Sequence, residues 1–330
     1  MNETSKIYKE LSEEELNKII ENYVGNEIEF EANLISGGLF NTTYHIKINK
    51  SKKEWILRVG PVNKHLILPF EENLMKSEAY VYELCNQHNI PCSKVLICDV
   101  DNKIINRDYM LVEYIDSKII SEIKVSQEIE DKLYEEVGMY ASRLHNIKSD
   151  KFGRVYDVYK GDGFNLWSEC ILDEVLKYES KFKEFKIFKE EELRLFKSVV
   201  YKYKDILDEI EVPHLIHGDL WPGNILVKEE NGNYIVPAII DADRAIFGDT
   251  DFEFASPWIT NKSLFKGYGN KLSTDEKSET RRKIYRLLHS LIDTYVWFVE
   301  YDKYEWGLDN KVKSIELANE ILELEINYNV

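Results

Sequence analysis

One polar segment, set between apolar strands, constrains this chain more than any other feature of its 330 residues. The segment reads HGDLWPGN and occupies residues 217–224. An Asn-Gly pair at residues 231–232 signals a hairpin turn downstream, and Asp241 follows the second apolar run of that hairpin. We therefore expect Asp219, Asn224 and Asp241 to meet at the ends of paired strands.

Oxygen-bearing side chains at this spacing suit phosphoryl transfer. The loose transition state of that reaction demands positioning and charge neutralisation rather than covalent catalysis. Mg²⁺ held with a triphosphate needs only one or two protein carboxylates, so Asn224 and Asp241 suffice as protein ligands. A polar turn with capping residues is the alternative for the same residues.

The first third of the chain predicts a small antiparallel meander. Strand-like runs occupy residues 29–35, 43–48 and 54–59, and a turn rich in Gly and Asn follows the first run. Residues 71–88 read as a helix that ends before Pro91, and two more strands follow at 94–99 and 109–114.

The predicted helix carries a carboxylate on its apolar face. At 100° per residue Glu78 falls among the apolar residues that face the sheet. An unpaired buried charge costs several kcal/mol, so Glu78 needs a cation on the facing strands. Arg58 is the natural candidate.

The rest of the chain is mainly helical. Apolar residues recur at helical spacing over 129–144, 169–203, 284–299 and 315–326, and the one β insert is the hairpin at 225–240. Two lobes are expected from this length and pattern.

These motifs resemble the aminoglycoside phosphotransferase and choline kinase family, which has the protein-kinase-like fold. The resemblance rests on HGDLWPGN (217–224) and IDADRAIFGD (240–249) and covers residues 34–255. It implies an α+β fold with a small antiparallel β-sheet lobe carrying one helix, residues 1–113, and a larger, mainly α-helical catalytic lobe, residues 114–330.

The resemblance also implies roles for individual residues of the second lobe. By resemblance, Asp219 orients or deprotonates the acceptor hydroxyl, and Asn224 and Asp241 bind Mg²⁺. The resemblance also implies that His217 braces the catalytic loop and that Asp243 supports Asp241. Gly248 and Asp249 correspond to a structural GD pair, and Glu253 stands where the family usually has Asp.

The first lobe is expected to bind ATP or GTP. By resemblance the phosphate loop and the inter-lobe hinge include Ser36, Gly37, Gly38, Asn41, Thr42, Met110, Glu113 and Ile115. The loop lacks a full GxGxxG, so a plain hairpin turn remains open, as does an ordinary strand at the hinge. Arg58 either contacts phosphate or only braces Glu78.

The acceptor is a small molecule with a hydroxyl group, and the acidic composition favours a cationic one. Carboxylates for it are predicted at Asp251, Glu253 and residues 300–309, and aromatic contacts at Trp258, Trp297, Tyr301, Tyr304 and Trp306, with packing in the core as the alternative for the aromatics. The first expectation is an aminoglycoside-phosphotransferase-like kinase of a polar, cationic small molecule. Among acceptors, an aminoglycoside, choline, ethanolamine, methylthioribose or another sugar, a ketosamine and a macrolide remain open, as does a role in resistance or in metabolism.

Composition and charge disfavour other function classes. A formal net charge of -17 repels nucleic acid and anionic bilayers, and no apolar run approaches the roughly 20 residues that span a membrane. The polar N-terminus and four cysteines without a CxxC pair predict a cytoplasmic protein, as a monomer or weak homodimer. A nucleotide-binding module without turnover and a metal-dependent phosphohydrolase are the competing classes.

Overall fold

The computed structural model describes residues 5–25, 28–35, 38–49, 51–269 and 271–325. Two predicted phosphate-loop residues, Ser36 and Gly37, lie outside these ranges. No helix in the described part is both long enough and apolar enough to cross a membrane.

The first lobe is a five-stranded antiparallel sheet between two helices. In chain order its elements are α1 (Glu13–Val24), β1 (Phe30–Ile35), β2 (Thr42–Ile48), β3 (Glu54–Val59), α2 (Leu74–Gln87), β4 (Val95–Asp99) and β5 (Tyr109–Glu113). The strands lie in the order β1-β2-β3-β5-β4. The predicted meander and helix are therefore present.

Side chains alternate between the two faces of this sheet, and each face packs against a different helix. Ile46, Trp55 and Leu57 are buried against α1, whereas Met110 and Val112 pack with α2. The sequence predictions contain no element before residue 29, although Ser12 and Glu15 form the reciprocal hydrogen bonds of a capping box at the start of α1.

The second lobe is mainly helical. Its elements are β6 (Lys118–Ile119), α3 (Gln127–His145), β7 (Gly153–Arg154), α4 (Val155–Lys160), α5 (Trp167–Glu184), α6 (Glu190–Lys202), α7 (Lys204–Leu207), β8 (His214–Ile216), β9 (Ile225–Glu230), β10 (Asn233–Ile239), β11 (Ile246–Gly248), α8 (Lys262–Tyr268), α9 (Glu276–Tyr295) and α10 (Tyr304–Glu323). We propose that the lobes divide at residue 113, where β5 ends.

Two helical boundaries differ from those that the apolar periodicity predicts. The region 169–203 contains two helices, because the chain turns after α5 with Lys186 at φ 54°. The final helix begins at Tyr304 rather than at residue 315, since its first half is largely exposed and lacks an apolar stripe. Between α9 and α10 the backbone forms a π-helical turn, Val296–Glu300.

Two short sheets bring the polar segments together. β9 and β10 form the predicted hairpin, and β8 pairs antiparallel with β11, which places Ile216 opposite Ile246. The loop that follows β8 and the loop that precedes β11 therefore lie side by side, facing α2 of the first lobe.

Candidate active site

The loop after β8 lies against the segment that precedes β11. Gly218 adopts φ 78°, and a Cβ atom there would lie 2.5 Å from the carbonyl oxygen of Arg244. Only glycine meets both requirements easily, because a side chain would be strained at that φ and would collide with the backbone. The contact sets Asp219 next to residues 241–244.

His217 and Glu253 hold the backbone of this loop. The amides of His217 and Gly218 donate to the Glu253 carboxylate at 2.7 and 3.3 Å. The Asp219 amide donates to Nδ1 of His217 at 3.2 Å, so Nε2 carries the proton and donates to the Ile240 carbonyl at 3.1 Å. Burial lowers the pKa of His217, which keeps the imidazole neutral in this arrangement.

Glu253 is consequently a scaffold residue, and the expectation that it binds the acceptor is wrong. It is 2% exposed, and both of its oxygens receive backbone donors of the loop. Burial works against its ionisation, but the His145 side chain and the other polar partners hold its pKa below the usual range. A buried carboxylate that accepts several hydrogen bonds stays charged.

Asp219 and Asn224 are joined directly. The Asn224 amide nitrogen donates to the Asp219 carbonyl at 2.8 Å and to its Oδ2 at 3.0 Å, which leaves Oδ1 of Asn224 directed elsewhere. Burial raises the pKa of Asp219 to about 7, although the charge of Arg244 opposes that shift. An Asp with such a pKa is suited to accept a proton near neutral pH.

Asp241 occupies an unusual backbone conformation at the end of β10. Its φ of 65° and ψ of 43° lie in the left-handed region, which Asp tolerates better than most residues. The adjacent Ile240 amide donates to the Asn224 carbonyl at 2.9 Å, so Asp241 and Asn224 are neighbours across the hairpin. Left-handed residues persist where the surrounding contacts impose them.

Those contacts come from the first lobe. The hydroxyl of Tyr82 on α2 accepts the Asp241 amide at 3.0 Å and donates to Glu78 at 2.6 Å. The Arg58 guanidinium donates a hydrogen bond from Nη1 to Glu78 and another from Nη2 to Asp241. Its Nη2 also lies 3.9 Å from Oδ2 of Asp243. One hydrogen-bonded network therefore links β3 and α2 to the segment after β10.

Burial shapes the charges of this network. Glu78 is 1% exposed, and desolvation raises its pKa while Arg58 opposes the shift. Desolvation also raises the pKa of Asp243, helped by the charge of Asp241. Despite burial, the carboxylates around Arg58 raise its pKa well above the usual value, so the guanidinium remains charged.

The oxygens around Asn224 and Asp241 fit a hard divalent cation. Oδ1 of Asp241 accepts a hydrogen bond from Arg58, and the side-chain amide nitrogen of Asn224 donates to Asp219. The second carboxylate oxygen of Asp241 and the side-chain oxygen of Asn224 are therefore without a described partner. Such oxygens are ligands that Mg²⁺ accepts, with phosphate and water completing its octahedron.

The predicted nucleotide residues lie in three places. Thr42 does not fit its predicted role, because its side chain is fully buried and donates to the Lys9 carbonyl at 2.8 Å. Gly38 and Asn41 end the loop before β2, in close mutual contact. At the hinge, the Glu113 amide donates to Lys94, whereas the Ile115 amide has no acceptor within the described ranges.

The remaining predicted acceptor residues separate into buried and exposed positions. Asp251 is buried and accepts from Arg282 at 2.9 Å, so its predicted acceptor role is also wrong. Trp297 is half-buried and packs edge-on against the half-buried Tyr301 and the exposed Trp306. Trp258 is 63% exposed.

Arg244 is a candidate that the sequence predictions missed. Its guanidinium forms no hydrogen bond or ion pair within the described ranges. Burial lowers its pKa, but the charges of Asp219, Glu71 and Asp243 outweigh that effect and raise the pKa above the usual value. The Arg154 side chain holds its carbonyl at 2.8 Å. A charged residue three positions after Asp241 was a usable sequence signal.

Glu71 and Glu300 form a second missed feature, at the junction of the lobes. They are 3% and 0% exposed, and one oxygen of Glu71 and both of Glu300 lack partners in the described part of the chain. Burial raises the pKa of Glu300 well above its usual value, and the charge of Glu71 adds to that shift. Nothing in the local sequence indicates this pairing.

Comparison with known proteins gives a consistent family. The family model described as "Phosphotransferase enzyme family" matches residues 31–273. Ketosamine-3-kinase of Mus musculus is 28% identical over 129 residues, which are 38% of this chain and 40% of that protein. The chain thus aligns with less than half the length of this curated relative.

Solved structures share the fold at low sequence identity. The gentamicin complex of APH(2")-IIa superposes with a TM-score of 0.66 at 16% identity, covering 96% of this chain and 98% of the other. A thermostable APH(4)-Ia mutant in ternary complex with AMP-PNP and hygromycin B gives 0.62 at 15%, covering 93% and 97%. Plasmodium vivax ethanolamine kinase gives 0.62 at 14%, covering 90% and 85%. The predicted bilobal fold is confirmed.

Proposed function

The chain belongs to the phosphotransferase enzyme family, and from that premise we propose that it transfers the γ-phosphoryl group of ATP or GTP to a hydroxyl of a small, amine-bearing acceptor. The observation that carries the proposal is that hydrogen bonds bring Asp219, Asn224 and Asp241 together beside the Arg58–Glu78 pair. Phosphoryl transfer requires little beyond such positioned charges.

The proposed chemistry assigns a distinct task to each side chain. Asp219 accepts the proton of the acceptor hydroxyl as its oxygen attacks the γ-phosphorus and the bond to the nucleoside diphosphate breaks. Asn224 orients the Asp219 carboxylate through its amide and, with Asp241, offers oxygens to Mg²⁺. Mg²⁺, when bound with the triphosphate, neutralises charge on the phosphate oxygens.

Two braces keep these groups in place. His217 and Glu253 fix the backbone on either side of Asp219, and Tyr82 fixes Asp241. Within the described residues the Ile115 amide has no acceptor, so it can donate to a purine edge at the end of β5. Arg58 contacts Glu78 of the first lobe and Asp241 of the second, so it can hold the two lobes at one separation.

An amine on the acceptor is supported by charge and by relatives. The net charge of -17 attracts cations. Ketosamine, gentamicin, hygromycin B and ethanolamine, which name the substrates or ligands of the similar proteins, are all hydroxylated amines. Low identity to each of them leaves the choice among these classes to experiment.

An acceptor screen tests the proposal. Purified protein with Mg²⁺ and ATP or GTP is assayed for diphosphate release against an aminoglycoside, a ketosamine, ethanolamine, choline, methylthioribose and a macrolide, with product mass as confirmation. Asp219→Asn should lower kcat at least 100-fold, in line with loss of a general base. Asp205→Asn, an exposed change on α7, is the matched control.

Two outcomes would overturn the proposal. Full turnover in Asp219→Ala would remove Asp219 from the chemistry. Nucleotide binding by calorimetry without transfer to any member of the panel would instead favour a nucleotide-binding module.

A further inference from the structure

Two tryptophans stand exposed together beside the catalytic loop. Trp221 is 39% and Trp258 63% exposed, and their ring centroids lie 6.2 Å apart with an interplanar angle of 52°. A single exposed aromatic needs no explanation, but clustered apolar surface at a site indicates a ligand. We propose that Trp221 and Trp258 form the surface on which the acceptor ring lies.

The loop is built to hold Trp221 in this position. The Asn224 amide donates to the Trp221 carbonyl at 2.9 Å, which makes Trp221 part of the turn that carries the predicted metal ligand. A Cβ atom on Gly223 would lie 2.3 Å from the Trp221 indole, so a larger residue at 223 would displace the ring. The indole is thereby fixed two residues from Asp219.

Trp258 directly follows, in the chain, residues that line a groove in the second lobe. Ala255 and Pro257, just before it in the chain, line a groove of about 500 Å³ whose walls are α9 and α10. Grooves that bind small molecules commonly have volumes of about 300–1,000 Å³. The groove therefore offers space for a molecule larger than one ring.

His289 and Asp293 also line the groove. Trp221 follows Asp219 by two residues in the same loop, and Trp258 lies against Trp221, so the pair of tryptophans borders the loop that carries the catalytic carboxylate. The predicted purine contact at Ile115 belongs instead to the end of β5, so the tryptophans are placed for the acceptor and not for the base.

The lining defines the class of ligand. An indole face attracts ammonium groups and packs against the apolar face of a ring, and Trp is the strongest such partner. Lys313, Arg286, Asp293 and Glu316 also line the groove, so charges of both signs are present. We assign the site to an amine-bearing sugar whose ring lies on the tryptophans and whose remaining polar groups enter the groove.

This inference rests on the proposed kinase function, and its test separates the two. Trp258→Ala, Trp258→Phe and Trp221→Phe are compared with Tyr201→Ala, a 62% exposed aromatic on α6. The probes are kanamycin as aminoglycoside and fructosyl-lysine as ketosamine. Trp258→Ala should raise the acceptor KM at least tenfold and leave the nucleotide KM unchanged. The acceptor KM of Trp258→Phe should lie between those of the wild type and Trp258→Ala. Both KM values of Tyr201→Ala should match those of the wild type.

Each outcome bears on the proposal. An acceptor KM within twofold of wild type in both Trp258→Ala and Trp221→Phe overturns it, as does an equal change in both KM values. If the wild type transfers no phosphate, the kinase proposal fails, and calorimetric binding of the two probes decides the tryptophan site by the same comparison. Absence of binding to either probe would refute the assigned ligand class as well.

Discussion

The hydroxyl of Tyr82 offers the sharpest test of how the first lobe positions Asp241. Tyr82→Phe removes one oxygen atom, which accepts the Asp241 amide at 3.0 Å and donates to Glu78 at 2.6 Å. Each lost hydrogen bond contributes about 1 kcal/mol, and a buried amide left without an acceptor adds to the cost. Because Glu78 keeps Arg58, we expect a loss of about 2–3 kcal/mol in the free energy of unfolding.

The same change should weaken the use of Mg²⁺. Asp241 sits at φ 65°, and without the Tyr82 contact the backbone is free to relax toward a less strained conformation. A relaxation of about 1.4 kcal/mol corresponds to a tenfold change in an equilibrium constant. The Mg²⁺ concentration for half-maximal rate should therefore rise about tenfold, as measured by diphosphate release against a Mg²⁺ titration.

A second tyrosine separates site effects from stability. The Tyr203 hydroxyl donates to the Ile321 carbonyl at 2.7 Å in the core of the second lobe. Tyr203→Phe should lower the unfolding free energy in urea by about 1 kcal/mol and leave the Mg²⁺ dependence unchanged. Wild-type Mg²⁺ dependence in Tyr82→Phe, together with stability within about 0.5 kcal/mol of wild type, would refute the role given to this hydroxyl.

Two further changes test backbone and charge. Gly218→Ala should lower the free energy of unfolding in urea by several kcal/mol, more than the ~1 kcal/mol expected for Gly232→Ala. Both glycines have a positive φ, but only at residue 218 would the added Cβ atom lie 2.5 Å from a carbonyl oxygen. Equal losses in the two variants would contradict this steric explanation. Burial and the charge of Glu71 raise the pKa of Glu300, so wild-type stability should fall as pH rises above about 4.5, the usual value for Glu, toward the folded-state pKa. Glu300→Gln should flatten that decline and gain about 1–3 kcal/mol at pH 8, whereas parallel pH curves would show that Glu300 is not a buried acid.

Local patterns in the chain were enough for the fold and for the centre of the site. Alternation at period two predicted β2 and β3, and the helical period of α2 placed Glu78 toward the sheet, where Arg58 contacts it. The HGDLWPGN segment predicted that Asp219 and Asn224 lie together, and a hydrogen bond joins their side chains. Such features depend on neighbours within a few residues, so they can be read from spacing.

The errors arose where a side chain's direction depends on distant parts of the chain. Glu253 and Asp251 had the right charge for an acceptor, but both point into the protein, toward His217 and Arg282. Thr42 was placed in the phosphate loop, and its hydroxyl instead bonds to Lys9. A sequence pattern shows which residues are polar without showing which polar partner lies opposite.

By itself, the sequence determined the family, the two-lobed fold and the three oxygen-bearing residues of the proposed site, because short-range periodicity and a contiguous motif encode them. Only the tertiary structure decided that the charge of Arg244 acts on Asp219, that Glu71 and Glu300 are both buried with unpaired oxygens in the described part of the chain, and that Trp221 lies beside Trp258. The packing of the lobes buries Glu71 and Glu300 at one junction, although 228 positions of the chain lie between them. Contacts of that kind follow from the summed burial of the whole core and leave no local signal in the chain.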